Sequence, residues 1–139
     1  KLAKGEMKLA GHTLNLKDVK IPVYNLAAKE DHIAPARSAY VGSKLFGGDV
    51  TYVMAGSGHI AGVVNPPSSG KYQFWTDGPP KGEFEDWVAE AKETPGSWWP
   101  HWHDWIVAQN DKTVPAREPG GGKVNPIEDA PGSYVRVRA

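Results

Sequence analysis

Two polar side chains in the first half of the chain could work together as a general base, Asp31 and His59. A histidine can remove a proton from a nucleophile when a carboxylate binds its second ring nitrogen, because the carboxylate fixes the tautomer and stabilises the imidazolium. The acid precedes the histidine by 28 positions. Taken alone, the pattern has a plainer interpretation, in which Asp31 caps a helix and His59 belongs to the polar surface.

The nucleophile that such a pair would activate is missing from the sequence. A nucleophile elbow has the pattern G-x-S-x-G, or the same pattern with cysteine, on a tight turn between a strand and a helix. The chain has no cysteine, and no serine has glycine at both required positions. Ser57 comes nearest, but Ala55 and His59 occupy the two positions where glycine is required. The sequence therefore predicts a base and its acid without a nucleophile.

A second group of candidate ligands lies further along the chain, where His101 and His103 stand beside Asp104. Residues two apart on a helix point roughly 200° away from each other. Histidine ligands on a helix are usually four apart, as in H-E-x-x-H. We therefore predict partly exposed polar side chains at these positions and no metal site.

Four tryptophans fall within eight positions in the same region of the sequence. Three of them, Trp98, Trp102 and Trp105, share one face of a predicted helix, which favours packing into a core. The alternative is an exposed aromatic platform that contacts a sugar or a hydrophobic polymer.

The elements that must position Asp31 and His59 form a strand–helix–strand pattern. Apolar runs over residues 21–28 and 50–55 predict two strands, and a helix is predicted between them over residues 35–46. Such strands pair in parallel with a right-handed crossover, so their carboxyl ends meet at one edge of the sheet. Asp31 follows the first strand and His59 follows the second. We expect both side chains in loops at that edge.

The remaining elements are less regular. Gly47-Gly48 is expected to end the first helix. Arg136 and Arg138 would share one face of a terminal strand and are expected to be solvated, with phosphate binding as the alternative. The other predictions are a hairpin around a Gly11-His12 turn, helices over 83–93 and 97–109, a loop over 112–130 and a strand over 134–138.

Composition excludes several classes of function. The 139 residues have a formal net charge of zero, which gives no electrostatic preference for nucleic acid or for an anionic membrane surface. No apolar stretch approaches the roughly 20 residues of a membrane span. Hydrophobic residues at 40% and charged residues at 23% are typical of a globular domain. The lack of cysteine excludes disulfides and thiolate metal sites from this sequence.

Four stretches of the sequence resemble the class I polyhydroxyalkanoate synthases. They read EDHIAP at 30–35, GSGHIAGVVNPP at 56–67, PGSWWP at 95–100 and APGSYV at 130–135. The second stretch is long and unusual, and the similarity extends through most of the chain to its last residue. We therefore expect a C-terminal segment of a synthase, with a truncated N-terminus. Ala36 is a departure, since many members of the family have tryptophan there.

The resemblance implies an α/β-hydrolase-type catalytic domain that polymerises (R)-3-hydroxyacyl-CoA into polyhydroxyalkanoate and releases coenzyme A. In the family a cysteine carries the growing polyester, a histidine deprotonates that cysteine, and an aspartate assists. By motif position the histidine is His59 and the aspartate is Asp31. The substrate is a CoA thioester and no cofactor is expected. The implied partners are the growing polyester, a second copy in a homodimer and the surface of polyhydroxyalkanoate granules in the cytoplasm.

The same resemblance predicts that residues 1–139 are the C-terminal part of one catalytic domain, with an incomplete central sheet. We expect a hairpin and lead-in over 1–20, the strand–helix–strand unit over 21–67, and helices with a tail over 68–139. The isolated segment should be inactive. The alternative function is a non-catalytic interaction module for dimerisation or granule attachment, and an independent hydrolase is least favoured because the elbow is absent.

Overall fold

The computed structural model describes residues 1–138, which separate into two compact units. The first unit spans residues 1–109 and contains every α-helix and strand of the described chain, which makes the fold mixed α/β. No helix in residues 1–138 is both long and apolar enough to cross a membrane. In chain order the elements are β1 (Met7–Leu9), β2 (His12–Leu14), β3 (Val23–Ala28), α1 (Ala36–Ser43), β4 (Val50–Ala55), β5 (Gln73–Thr76), α2 (Phe84–Glu90), β6 (Lys92–Pro95) and α3 (Trp99–Gln109).

The strands β1 and β2 form the predicted antiparallel hairpin. Its turn lies at Ala10-Gly11, one residue earlier than the predicted Gly11-His12. The two-residue turns that match the twist of a hairpin need positive φ at both central residues, or at the first of them. Ala10 has a φ of 47° and Gly11 a φ of 81°, so both central residues of the turn have the positive φ that such a turn requires.

The strand–helix–strand unit predicted from the sequence is present, with β3 and β4 paired in parallel and α1 between them in the chain. Six residue pairs run in register, from Val23 opposite Val50 to Ala28 opposite Ala55. The carboxyl ends of the two strands therefore lie side by side. The loops that leave them begin next to each other, at the edge where both candidate side chains are expected.

Helix α1 ends at Ser43, three residues before the predicted end at Phe46. The glycines that follow serve a close approach of two backbone segments. A Cβ atom on Gly47 would overlap the backbone carbonyl of Lys17. The Gly47 N–H instead donates to the carbonyl of Val19 at 3.1 Å. The chain before β4 thus passes tightly against the chain before β3.

Two further strands extend the sheet, whose order is β3-β4-β5-β6. β5 pairs antiparallel with β4, and β6 pairs antiparallel with β5. The sequence did not predict either strand, because each has four residues and an alternating pattern cannot be distinguished over so short a run. Helix α2 occupies the first part of the predicted 83–93 helix and ends at Glu90, since the chain from Lys92 forms β6.

Aromatic side chains of α1, β4 and α2 form the centre of the hydrophobic core. The ring of Tyr52 is buried and packs in edge geometry against Trp87 at 4.8 Å and against Tyr40 at 5.2 Å between centroids. The Tyr52 hydroxyl donates to the carbonyl of Ala36 at 2.9 Å. This bond fixes the first residue of α1 over β4.

Helix α3 forms where the sequence predicts a helix, but the expected burial of its tryptophans is wrong. No residue of α3 is buried, and Trp102 is 41% exposed. Trp98 and Trp105 are half-buried against Tyr24 of β3, at 6.1 and 5.5 Å between ring centroids. Tyr24 belongs to the outermost strand of the sheet, so the tryptophan face of α3 is covered only in part.

The second unit begins at Asn110 and has no helix or strand over residues 110–132, in agreement with the predicted 112–130 loop. The predicted terminal strand over 134–138 is wrong, because Ser133–Arg136 form a 3₁₀ helix. Alternating residues favour a strand where one face is buried against a partner, and Tyr134 is 75% exposed. Arg136 closes the 3₁₀ turn and shares no strand face with Arg138.

Candidate active site

Asp31 lies in the turn that leaves β3. Its N–H donates to the carbonyl of Ala28 at 3.2 Å. Its Oδ1 accepts the backbone N–H groups of Ile33 at 2.8 Å and Ala34 at 2.9 Å, and the side chain is only 7% exposed. The carboxylate therefore stabilises the turn that leads through Pro35 into α1. These contacts also fix the direction of its second oxygen.

The second oxygen of Asp31 binds His59. His59 Nδ1 lies 2.7 Å from Asp31 Oδ2, a distance typical of charge-assisted hydrogen bonds. The structure thus brings together the two candidate residues that the sequence predicts. The plainer interpretation, in which Asp31 caps a helix, is wrong. Its first oxygen accepts N–H groups of the turn before α1, and the N-cap residue of α1 is Pro35, which has no side-chain cap.

The surroundings of Asp31 lower the pKa of its carboxyl from 3.8 to about 2. The largest cause is the hydrogen bond from the Ala34 N–H, followed by the hydrogen bond from the His59 side chain. The carboxyl is therefore ionised at neutral pH. It provides a fixed negative charge beside Nδ1 of the imidazole, which stabilises the protonated ring.

The imidazole of His59 is 45% exposed, whereas the side chain of Asp31 is largely covered. With Nδ1–H directed at Asp31, Nε2 is the ring atom that can accept a proton from another group. The pair can therefore carry out general-base chemistry on a hydroxyl or thiol placed near Nε2.

The loop after β4 reaches Asp31 because backbone pairing continues beyond the two strands. The Lys29 N–H donates to the carbonyl of Ala55 at 2.8 Å, and the Glu30 N–H donates to the carbonyl of Ser57 at 3.0 Å. Ser57 then has a φ of 68°, which turns the chain away from the strand direction. Acid and base are thus presented from adjacent turns.

Gly62 completes this turn, and the sequence did not predict its role. Its N–H donates to the carbonyl of Gly58 at 3.0 Å. A Cβ atom at Gly62 would overlap the carbonyl oxygen of Gly56, so only glycine fits without a shift of the backbone. The repeated glycines of GSGHIAG at residues 56–62 were the feature of the sequence that could have indicated a tight turn here.

A cavity of about 360 Å³ opens beside Asp31. Its polar lining consists of Asp31, Lys29 and Arg37, and both cations have partners. Lys29 Nζ lies 4.3 Å from the centroid of the Trp75 ring, and Arg37 pairs with Glu85. The cavity could accept an apolar group next to the acid. Its apolar lining comes from Pro35, Ala36, Met54, Phe84 and Val88.

The two histidines of α3 are separate from this site. His101 Nδ1 is hydrogen-bonded to the Tyr24 hydroxyl at 2.9 Å, and burial lowers the pKa of His101. His101 also lines a different cavity, of about 410 Å³, together with Asp49 and Asp77. His103 is exposed. Within residues 1–138, no three His, Asp or Glu side chains are close enough to bind a metal ion together.

In this mixed α/β domain, a carboxylate and an imidazole at the carboxyl ends of two parallel strands have the geometry of a general base and its orienting acid. Over 139 residues the chain is 64% identical to the Poly(3-hydroxyalkanoate) polymerase subunit PhaC of Rhizobium meliloti. It is 62% identical over 137 residues to the protein of the same name from Rhizobium etli and 36% identical over 137 residues to that of Cupriavidus necator. No family model matches the chain.

These relatives cover 97–100% of the chain, whereas the chain spans only 22–23% of their length. The chain belongs to the poly(3-hydroxyalkanoate) polymerase family and matches one segment of these relatives' sequences.

Proposed function

We propose that this chain supplies the acid and the base of the acyl-transfer site of a poly(3-hydroxyalkanoate) polymerase. His59 removes the proton of a nucleophile that lies outside the chain, and Asp31 orients the imidazole and stabilises its protonated form. The observation that carries the proposal is the 2.7 Å contact between His59 Nδ1 and Asp31 Oδ2. The polymerase names of the relatives suggest the reaction.

The proposed substrate is an (R)-3-hydroxyacyl-CoA and the proposed nucleophile is a cysteine thiol. Nε2 of His59 accepts the thiol proton, and the thiolate attacks the thioester carbonyl. Coenzyme A leaves as a thiol that takes this proton, and the acyl group stays on the cysteine as a new thioester. His59 then removes the proton of the 3-hydroxyl of another acyl unit, whose oxygen attacks the carbonyl of the cysteine thioester. The ester bond forms as the carbon–sulfur bond breaks, and the departing cysteine thiolate takes back the proton. No cofactor takes part in this scheme.

We also propose that the sheet is the terminal part of an α/β-hydrolase-type sheet that continues beyond β3. Within residues 1–138, β3 pairs with β4 alone, so its other edge is open. The relatives are more than four times as long as the chain, which leaves ample sequence to complete such a sheet. The nucleophile would then come from that additional part.

The alternative proposal is an interaction module for homodimerisation or for attachment to polymer granules. One observation favours it, which is the row of exposed apolar side chains on α3 formed by Trp102, Ile106 and Val107. The two proposals make different predictions for the same substitutions.

Substitution of the pair tests the catalytic proposal in the full-length polymerase. His59→Ala and Asp31→Asn should each lower the rate of CoA release from (R)-3-hydroxybutyryl-CoA by roughly 100-fold or more, the usual effect of losing general-base catalysis. His32→Ala is the matched control, because His32 is an exposed histidine next to Asp31. Its rate should equal that of the unaltered protein.

Unchanged CoA release in the His59→Ala protein would refute the catalytic proposal. If that protein also lost its association with granules, the interaction module would become the favoured function. Full granule association together with lost turnover is the result expected from the catalytic role.

A further inference from the structure

Two indole N–H groups converge on one backbone carbonyl of the loop that carries His59. The Nε1–H groups of Trp98 and Trp99 each donate to the carbonyl oxygen of Val63 at 3.1 Å. A carbonyl oxygen has two lone pairs, so both bonds can form at the same time. The two rings are half-buried and meet in edge geometry at 6.5 Å between centroids.

The two tryptophans stand at the start of α3, which is anchored on β3. The Trp98 ring packs against the ring of Tyr24, and the Tyr24 hydroxyl is hydrogen-bonded to His101 of α3 at 2.9 Å. β3 leads directly into the turn of Asp31. One strand therefore supports both the acid and the tryptophans that contact the loop of the base.

The contacted carbonyl is coupled to His59 through a tight turn of the loop. The N–H groups of Val63 and Val64 both donate to the carbonyl of Ile60, at 3.1 and 2.8 Å. A displacement of Val63 would therefore shift Ile60, the neighbour of His59. Since the imidazole itself is almost half exposed, the loop backbone has a large share in determining where the ring lies.

We propose that Trp98 and Trp99 are positioning residues that set the distance between His59 Nδ1 and Asp31 Oδ2. The inference rests on the proposed role of His59 and adds the start of α3 to the active site. Both indole N–H groups donate to Val63 and not to the acid–base pair, so the effect passes through the Val63 carbonyl. Displacement of a catalytic group by about 1 Å can lower the rate by roughly 100-fold.

Replacement of tryptophan by phenylalanine removes the N–H donor and keeps an aromatic ring. In the full-length polymerase, Trp98→Phe combined with Trp99→Phe should lower kcat by about 10-fold or more, with KM for (R)-3-hydroxybutyryl-CoA unchanged. Each single substitution leaves one donor and should have a smaller effect. Trp105→Phe is the matched control on the same helix, since the Trp105 indole donates no hydrogen bond within residues 1–138. Its kcat should be unaltered.

The same substitutions in the His59→Ala protein separate positioning from general stability. If the tryptophans act through His59, they cause no further loss of the residual turnover in that background. An equal fold-loss in both backgrounds would overturn the inference, as would an unaltered kcat in the double variant. If the double variant does not fold, the single variants are compared in the same way. Full turnover of His59→Ala alone would refute the role of His59 itself.

Discussion

Asp31 has two acceptor oxygens with different partners, and both partners favour the ionised carboxyl. Oδ1 accepts two backbone N–H groups and Oδ2 accepts His59. The resulting pKa of about 2 lies below the ordinary value of 3.8. A depressed folded-state pKa contributes stability that is fully present above the unfolded-state value and is lost as the pH falls through the folded-state value.

This shift predicts how stability depends on pH. The free energy of unfolding of the unaltered protein should decrease between about pH 4 and about pH 2 through Asp31. The Asp31→Asn protein lacks this contribution, so the difference between the two should narrow over that range. The measurement is chemical denaturation at a series of pH values, with His32→Ala as the control for a substitution in the same turn. A constant difference between the Asp31→Asn and unaltered proteins across the range would contradict the prediction.

At the level of single residues, the sequence was informative where residue type and order carry the chemistry. A carboxylate after one strand and a histidine after the next were sufficient to place Asp31 and His59 together. The contacts of Trp98 and Trp99 with Val63 could not be predicted in this way. They join side chains to a backbone carbonyl 35 and 36 positions away, and such contacts leave no periodic pattern in a sequence.

At the level of elements, the parallel pair β3 and β4 was predictable because both strands are six-residue runs of mostly apolar side chains. The end of α1 and the role of Gly47 were not, because they depend on a backbone segment far away in the sequence. The antiparallel strands β5 and β6 were not predicted because each has only four residues. The terminal strand was predicted wrongly because alternation alone does not supply a partner.

The compact turn after β4 gives a prediction at this scale. Gly62→Ala places a methyl group against the carbonyl of Gly56, so the backbone must shift. Steric overlap of this kind typically costs about 1–3 kcal/mol of stability. Turnover should also fall, because the displaced segment carries His59.

Gly58→Ala is the matched control in the same loop, since a Cβ atom there would lie 3.9 Å from its nearest neighbour, the carbonyl of Glu30. Thermal unfolding and CoA release of both full-length variants provide the measurement. Equal thermal stability and equal CoA release of Gly62→Ala and Gly58→Ala would contradict the prediction that the overlap at Gly62 destabilises the loop.

At the level of the whole molecule, β3 presents an open edge within residues 1–138. Unpaired edges of this kind promote pairing with another chain. We expect the isolated segment to self-associate or to be only marginally stable. Sedimentation velocity over a range of concentrations and urea unfolding test this expectation. A monomer with high cooperative stability would indicate that the sheet needs no further strand.

The hydrogen-bond donors around Asp31 determine which way the side-chain amide would be oriented in an Asp31→Asn protein. In the Asp31→Asn protein, the N–H groups of Ile33 and Ala34 would still point at the position of Oδ1. An NH₂ group there would meet two donors, so the amide oxygen takes that position and the NH₂ group faces His59. Nδ1 must then accept a hydrogen bond, which moves the ring proton to Nε2. The isosteric substitution would preserve the shape of the site while inverting the imidazole tautomer, so that the nitrogen facing the nucleophile has no free lone pair.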